Sequence, residues 1–294
     1  MNYSAHRLLP SAIECIPAFF INRDRDGERR RFIESQFAAC RLPAERIRAV
    51  DGRDVPTALR HYFLENGELT SKLSPGEIGC YASHLLAAQN ILARGLPYAL
   101  IVEDDATLPI TLCRDLLEIL EALPSDWDIV QLCADPTHAF KPIKWLRQGR
   151  DIIRYSRIPG GAVGYLMSGA GARKFLARHA REWPVDTDIR QPWVFGTSVF
   201  GVVPKLIGHS GVLKSAVLEY GERSRRRRGV HRPTLRYPVG SPFHTVESAA
   251  FNILQLGPLA WARCLATNVS RRLNRWMFGA VPIAVPRETS QQPL

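Results

Sequence analysis

Short apolar runs alternate with amphipathic stretches along the first 210 residues of the chain. The apolar runs contain many branched and aromatic residues, which is typical of buried strands. They read CIPAFFI, RIRAV, YALIV, DIVQLCA, DIIRYSR and AVGYLMS. Between them, apolar residues recur every three or four positions, which predicts helices. This alternation predicts an α/β fold, in which helices flank a mostly parallel sheet.

The clearest local signal is a helix start. Ser74 can cap the helix, Pro75 suits its first position, and Glu77 completes a capping box. The capping box alone is enough to explain Glu77. Cys80 and His84 follow at helical spacing, so we expect them to share one face of the helix with Glu77.

The net charge of +11 is concentrated near the C-terminus. From Gly221 onward the sequence has twelve Arg, no Lys and three acidic residues, so this part carries +9 and the first 220 residues carry +2. We therefore predict a near-neutral catalytic or binding domain over residues 1–220. Residues 221–294 are predicted to form an Arg-rich linker and an amphipathic helical segment, which suits an anionic partner.

The amphipathic segment predicts a helix that lies on an anionic membrane surface. The apolar stripe of this helix consists of Trp261, Leu265, Val269, Leu273 and Trp276. Arg272 interrupts the stripe. Nucleic acid is not favoured as a partner, because the run RSRRRRG lacks interleaved aromatic residues and belongs to no recognisable nucleic-acid-binding module. The sequence leaves open the alternative that this helix packs on the domain.

The remaining composition fits a cytoplasmic protein, and the basic C-terminal segment predicts that it is peripheral to an anionic inner membrane surface. Six cysteines form no CxxC pair, which fits a reduced compartment. Two prolines and Glu14 break the first apolar stretch, so we expect no signal peptide. The uncharged stretch at 248–262 is shorter than the ~20 residues of a spanning helix.

Three consecutive acidic residues, Glu103, Asp104 and Asp105, follow the predicted strand YALIV directly. Ligands of open parallel sheets bind beyond the carboxyl ends of the strands, so this position favours a binding site. Spaced carboxylates suit Mg²⁺ or Mn²⁺ and the ribose of a nucleotide. A solvated acidic turn is the alternative, and the three residues by themselves do not decide between them.

The segment LIVEDD also occurs at the start of receiver domains, which bind Mg²⁺ beside an aspartate that accepts phosphate. That interpretation fails on placement, because 100 residues of α/β pattern precede the segment. A receiver domain also needs a lysine at the end of a later strand, whereas Lys174 falls in a predicted helix.

Several blocks of sequence together resemble glycosyltransferase family 25, the lipooligosaccharide galactosyltransferase-like proteins. The blocks occur in the family's order over residues 16 to 210, and they read FFINRDRDGERRRFIESQF, AVDG, LSPGEIGCYASHL, ALIVEDDATL, DWDIVQL, GGAVGYLMSGAGARKFL and PVDTDI. The resemblance implies a GT-A-like, Rossmann-like fold. It also implies a UDP-sugar donor and transfer of a hexose, often galactose.

The resemblance assigns the acidic run to the donor's cation and nucleotide. Asp105 would bind Mn²⁺ or Mg²⁺, and Glu103 would contribute to the same metal site. Glu103 or Asp104 would reach the ribose or a metal-bound water. Other residues that the resemblance places near the nucleotide are Asn22, Asp24, Arg29 and His84. Arg23 departs from the family pattern. An ordinary polar loop would explain Asn22, Asp24 and Arg29 equally well, and a structural histidine would explain His84.

The block WPVDTDI supplies candidates for the catalytic base, which an inverting transfer needs in order to accept the proton of the acceptor hydroxyl. Asp186 and Asp188 are the two candidates, and Asp186 matches the family block better. The alternative for either is an Asx-turn or a helix cap. His209 comes late enough in the chain to be a further metal ligand.

The expected function is a metal-dependent, inverting glycosyltransferase. It would move a hexose from a UDP-sugar to a lipooligosaccharide, lipopolysaccharide or other glycan, including a lipid-linked oligosaccharide. The alternative is a non-catalytic or regulatory nucleotide-binding module on the same scaffold.

Overall fold

The computed structural model describes residues 16–65, 67–69, 72–147, 149–177, 180–210 and 242–278. The N-terminal residues on which the absence of a signal peptide was predicted lie largely outside this part of the chain, and the Arg-rich linker lies wholly outside it. The division into two units at residue 220 stays a prediction.

Twelve strands are present in the described residues. They are β1 Ala18–Asn22, β2 Glu45–Arg48, β3 Leu64–Glu65, β4 Glu68–Leu69, β5 Tyr98–Glu103, β6 Ala106–Thr107, β7 Ile129–Gln131, β8 Phe140–Trp145, β9 Asp151–Tyr155, β10 Gly164–Ser168, β11 Val199–Val203 and β12 Gly208–His209. The helices, numbered along the chain, are α1 Gly27–Ala39, α2 Thr57–Arg60, α3 Pro75–Ala93, α4 Leu112–Ala122, α5 Gly169–Phe175, α6 Val185–Ile189, α7 Pro192–Phe195, α8 Pro242–Leu256 and α9 Pro258–Phe278.

Eight strands form the central sheet, in the order β2-β1-β5-β10-β7-β11-β9-β8. The predicted mixed α/β fold with a mostly parallel sheet is confirmed, since six of these eight strands point in one direction. The two reversed strands are β10, which lies at the centre of the sheet, and β9. The pattern did not predict their direction, because a strand buried on both faces reads as the same apolar run either way.

Successive residues of the strands pack into two different cores, one on each face of the sheet. On β5, Ala99 and Ile101 join the core that contains α3 and α5, whereas Leu100 and Val102 join the core that contains α1 and α4. Both faces of the sheet are therefore covered by helices. The ends of the strands are left to form a site.

Helix α3 begins with the predicted capping box, because the Ser74 hydroxyl accepts from the backbone of Glu77, whose carboxylate accepts from Ser74 in return. The helix lies very close to the loop that follows β2. A Cβ on Gly79 would come within 2.5 Å of the carbonyl oxygen of Val50, so only glycine fits there. The hydroxyl of Ser83 accepts a hydrogen bond from the Val50 amide at 2.9 Å.

Helices α8 and α9 pack on the β8–β9 edge of the sheet. Lys141 on β8 donates to the backbone of Leu256 at 2.9 Å, and the Ala139 amide donates to the side chain of Asn268 at 2.7 Å. The rings of Trp193 and Phe251 lie 6.0 Å apart. One side of the predicted amphipathic segment thus contacts the domain and covers an edge that would otherwise be open to pairing.

Within the described residues, we find no helix that combines the length and the apolar character needed to cross a membrane. The five cysteines of this part of the chain are all free thiols.

Candidate functional site

Strands β1 and β5 are parallel neighbours, and their register sets Ile21 beside Glu103. The carboxyl ends of both strands therefore meet at one edge of the sheet. Asn22 comes next on β1, and its amide donates to Oδ2 of Asp104 at 2.7 Å. Pairing of β1 and β5 thus brings together two predicted site residues, Asn22 and Asp104, which lie some 80 residues apart in the sequence.

Arg29, in the first turns of α1, binds both aspartates. Its Nε donates to Oδ1 of Asp104 and its Nη2 donates to Oδ2 of Asp105, each at 2.7 Å. All three side chains are buried. Arg29 therefore supplies part of the positive charge that faces the acidic run. Neither the solvated-turn interpretation nor the cation-site interpretation had included this arginine as the counterion.

Charge on the aspartates is disfavoured by their surroundings. Burial raises the pKa of both Asp104 and Asp105, and Arg29 offsets this effect only in part. Burial also acts to raise the pKa of Glu103, but the hydrogen bond and charge of His84, with Arg29 and His209, lower it overall. Three carboxylates against one guanidinium leave two negative charges when all three are ionised, which a single divalent cation would balance.

Asp105 has an oxygen that is free to bind a cation. Among the described residues no hydrogen-bond donor reaches its buried Oδ1. Strand β12 pairs with β6 directly after the acidic run and brings Nε2 of His209 to 3.5 Å from Oδ2 of Asp105. Two carboxylates, one of them with an unpartnered oxygen, and an imidazole fit Mn²⁺ or Mg²⁺. Asp105 and His209 would hold it, together with Glu103 as the sequence predicted, but among the described residues the ligand atoms of these three do not lie within 4.8 Å of one another.

His84 has protein partners on both nitrogens of its ring. Nδ1 lies 2.9 Å from the hydroxyl of Tyr165, and Nε2 lies 3.4 Å from Oε1 of Glu103. The histidine is fully buried and orients Glu103. The sequence analysis missed Tyr165, because nothing in the run GYLMS sets this tyrosine apart from a core residue.

A cleft of about 690 Å³ opens above these residues. Its walls come from the ends of β1, β2 and β5 and from the first turns of α3. The predicted residues that line it are Asn22, Asp24, Arg29, His84, Glu103 and Asp104. Asp24 is at the exposed rim, where it pairs with Arg46 and Arg48 at 2.7 and 2.5 Å. The hydrogen bond from Arg46 lowers the pKa of Asp24.

The two candidate bases occupy different environments. Both lie in the short helix α6, a single helical turn that follows Pro184. Asp188 is buried and its Oδ2 accepts from the hydroxyl of Tyr81 at 2.8 Å. Asp186 is half-buried, lies against Gly160 and acts electrostatically on Cys80 beside the cleft.

The fold and the site define a class of protein: a mixed α/β protein with a ligand cleft at the ends of its parallel strands and a cluster of carboxylates at the base of the cleft. The sequence model of glycosyltransferase family 25, described as LPS biosynthesis protein, matches residues 15–190, which is more than half of the chain. The chain therefore belongs to glycosyltransferase family 25.

Curated relatives include active and inactive proteins. A Haemophilus influenzae protein described as a "Putative glycosyltransferase" is 28% identical over 172 residues, which are 58% of this chain and 60% of that protein. Procollagen galactosyltransferase 1 of Danio rerio is 29% identical over 174 residues, covering 54% and 28% of the two chains.

Inactive glycosyltransferase 25 family member 3 of Mus musculus is 27% identical over 180 residues, covering 57% of this chain and 30% of the relative. The chain spans less than two thirds of the length of each of these relatives.

Proposed function

We propose that this protein is a metal-dependent, inverting glycosyltransferase that moves a hexose, galactose by preference, from a UDP-sugar to a glycan acceptor. The observation that carries it is the unpartnered, buried Oδ1 of Asp105, which follows Glu103 and Asp104, two carboxylates that line the cleft at the strand ends. Family membership supports the transfer of a sugar. The procollagen galactosyltransferase among the relatives supports galactose.

Each group at the site has a role in this proposal. The cation would offset the charge of the diphosphate as UDP leaves. Arg29 holds Asp104 and Asp105 in fixed positions, so that the carboxylates need not reorganise when the donor binds. Asp186 accepts the proton of the acceptor hydroxyl as the hydroxyl oxygen attacks the anomeric carbon. Asp188 is less suited to this role, because Tyr81 occupies it in the core.

The acceptor in this proposal is a lipooligosaccharide, lipopolysaccharide or other lipid-linked oligosaccharide, and the protein works at the cytoplasmic face of the inner membrane. Support comes from the outward side of α8 and α9. Six large apolar residues of these helices are exposed, and α9 also exposes Arg263 and Arg272; the six are Val246, Leu254, Leu259, Leu265, Val269 and Leu273. Apolar and basic residues exposed together suit an anionic bilayer surface.

The test is a panel of nucleotide sugars, each with Mn²⁺ or with a chelator, in which release of the nucleotide is followed with candidate glycan acceptors. We expect release from a UDP-sugar that needs both the metal and an acceptor. Asp105→Ala should abolish it, whereas Asp135→Ala, which breaks an exposed pair with Lys205, should not. Full activity in Asp105→Ala, or in chelator, would overturn the metal assignment.

The second candidate function is a non-catalytic nucleotide-binding module. Two observations favour it: the inactive relative, and the ion pairs by which Arg29 already engages both aspartates. Binding of a UDP-sugar without hydrolysis or transfer, across the whole acceptor panel, would establish this second function.

A further inference from the structure

Cys80, His84 and Glu103 converge on one wall of the cleft. Cys80 and His84 are one turn apart on α3, and Glu103 is the last residue of β5. The sulfur, a ring nitrogen and a carboxylate oxygen all lie within 4.8 Å of one another. The donor-site cation proposed above accounts for Glu103 alone among the three.

The imidazole of this cluster is held in place from behind. Tyr165 contacts Nδ1 of His84 at 2.9 Å, which leaves Nε2 directed at Glu103. Both His84 and Tyr165 are fully buried, so the ring has little freedom to turn away. Metal-binding histidines are oriented in this manner, by a partner on the nitrogen that does not bind the ion.

The three groups differ in chemistry from the oxygen-rich site beside them. A thiolate and an imidazole with one carboxylate suit Zn²⁺ or a similarly thiophilic ion, whereas Mg²⁺ and Mn²⁺ prefer oxygen ligands. The surroundings of Cys80 are also negative. Burial, followed by Glu103, Asp186, Asp105 and Glu77, raises the pKa of its thiol, and the same negative potential attracts a cation.

We propose that Cys80, His84 and Glu103 form a second cation site, selective for Zn²⁺, which shares Glu103 with the donor's cation site. On binding, the ion replaces the thiol proton, which is released to solvent, and a water completes the tetrahedral shell. Because one carboxylate serves both sites, Zn²⁺ draws Glu103 away from the donor cation. The site is therefore inhibitory; this step and the shared use of Glu103 rest on the proposed function.

Cobalt is the probe that reports on the sulfur directly. Full-length protein is stripped with chelator and titrated with Co²⁺, and the near-ultraviolet band of a cobalt-thiolate bond is recorded. In the unaltered protein we expect the band to saturate at one Co²⁺ per protein molecule. In Cys80→Ser we expect the band to be absent. Cys264→Ser is the matched control, since Cys264 is a buried thiol on α9, and this variant should keep the band. Absence of the band in the unaltered protein overturns the proposal.

Zinc affinity provides a second readout, measured by competition with a chromophoric chelator. We expect Cys80→Ser and Glu103→Gln each to weaken binding of Zn²⁺ by at least ~10-fold. If Cys80→Ser does not fold, alkylation of the unaltered protein decides the question: Zn²⁺ should protect Cys80, and not Cys264, from a thiol reagent, as located by mass spectrometry. Equal modification of Cys80 with and without Zn²⁺ contradicts the site.

Inhibition is measured against the rate of each variant without zinc. The concentration of Zn²⁺ that halves nucleotide release should rise ~10-fold in Cys80→Ser. A protein that binds cobalt through sulfur but transfers no sugar would refute the proposed function and leave the site standing. Transfer that depends on Mn²⁺, without a cobalt-thiolate band, would refute the site alone.

Discussion

At the scale of single residues, the main finding is that Arg29 binds two of the three carboxylates of the acidic run. The family resemblance predicts this arginine near a nucleotide, but it could not show that the side chain binds two carboxylates some 75 residues away in the chain. Such a contact depends on the β1–β5 register and on the angle of α1, neither of which has a local signal. The acids themselves could be recognised as candidates, because they directly follow an apolar strand, at the edge where ligands of open parallel sheets bind.

Replacing Arg29 by Met should be strongly destabilising. Asp104 and Asp105 would stay buried without their counterion, which typically costs about 3–5 kcal/mol. Urea denaturation of the metal-free protein measures the loss, and Mn²⁺ should recover part of it. Arg30→Met is the control from the same helix, because its exposed pair with Glu34 contributes less than ~1 kcal/mol. Equal losses in the two variants would show that Arg29 does not stabilise the aspartates.

Asp105→Asn should stabilise the metal-free protein at neutral pH. Burial raises the pKa of Asp105 above that of the unfolded chain, so the native state holds this proton more tightly and stability falls as pH rises through the interval between the two pKa values. Above that interval, removing the charge should raise the Tm. Below pH 3.8, the ordinary pKa of the carboxyl, the two proteins should melt alike.

Asp24→Asn is the comparison of opposite sign. The hydrogen bond from Arg46 lowers the pKa of Asp24, so its charge favours the native state at neutral pH, and that contribution disappears as pH falls through the lowered pKa. This variant should therefore melt slightly lower than the unaltered protein at pH 7. A lower Tm for Asp105→Asn as well would contradict the electrostatic description of the cleft.

At the scale of secondary structure, α3 does more than cover the sheet. It carries Cys80 and His84, and through Ser83 it fixes the backbone of Val50, which also lines the cleft. The start of this helix was predictable, since a capping box is a local pattern. The distance between α3 and the loop after β2 was not predictable, because a glycine within a helix indicates a close approach but not which segment approaches.

Gly79→Ala should therefore both destabilise the protein and slow transfer. The added Cβ would lie 2.5 Å from the carbonyl oxygen of Val50, and overpacking of this kind costs about 1–3 kcal/mol. Denaturation and the rate of nucleotide release provide the two measurements. Gly27→Ala at the start of α1 meets its nearest atom at 3.7 Å and should be tolerated. Normal stability in Gly79→Ala would mean that α3 can move away from the loop.

Strand existence could be predicted better than strand direction. Apolar runs identified β5, β9 and β10 from their composition, but β8 was missed, since FKPIKW alternates with lysine and contains a proline, as suits a strand near a sheet edge. The reversal of β10 depends on how the chain returns across the sheet. That path involves tertiary contacts, which no local window of sequence contains.

At the scale of the whole molecule, the C-terminal helices present two different surfaces. One side packs on the domain, as the sequence had allowed, and the other exposes leucine and valine beside arginine. The interpretations of this segment as a membrane helix and as a packed helix are compatible in this structure. The membrane contact itself stays a prediction.

Leu265→Glu should weaken sedimentation with anionic vesicles at low salt. A leucine side chain transferred out of water contributes about 1.5–3 kcal/mol, so its loss should lower the affinity more than ~10-fold. Ile110→Glu carries the same charge change at an exposed site on the domain and should sediment as before. The prediction fails if the unaltered protein stays in solution with phosphatidylglycerol vesicles, or if both variants behave alike.

The width of the sheet has a consequence for the acceptor. Five strand spacings separate β5, whose end forms the cleft, from β8, on which the C-terminal helices rest. At ~4.8 Å per spacing this distance is about 24 Å. With those helices between β8 and a bilayer, the helix diameter of ~10 Å adds to this distance, so the cleft could stand at most about 34 Å above the lipid. A substrate anchored in that bilayer must then be long enough to bring its reacting hydroxyl to the cleft, so the sheet would select acceptors by their reach.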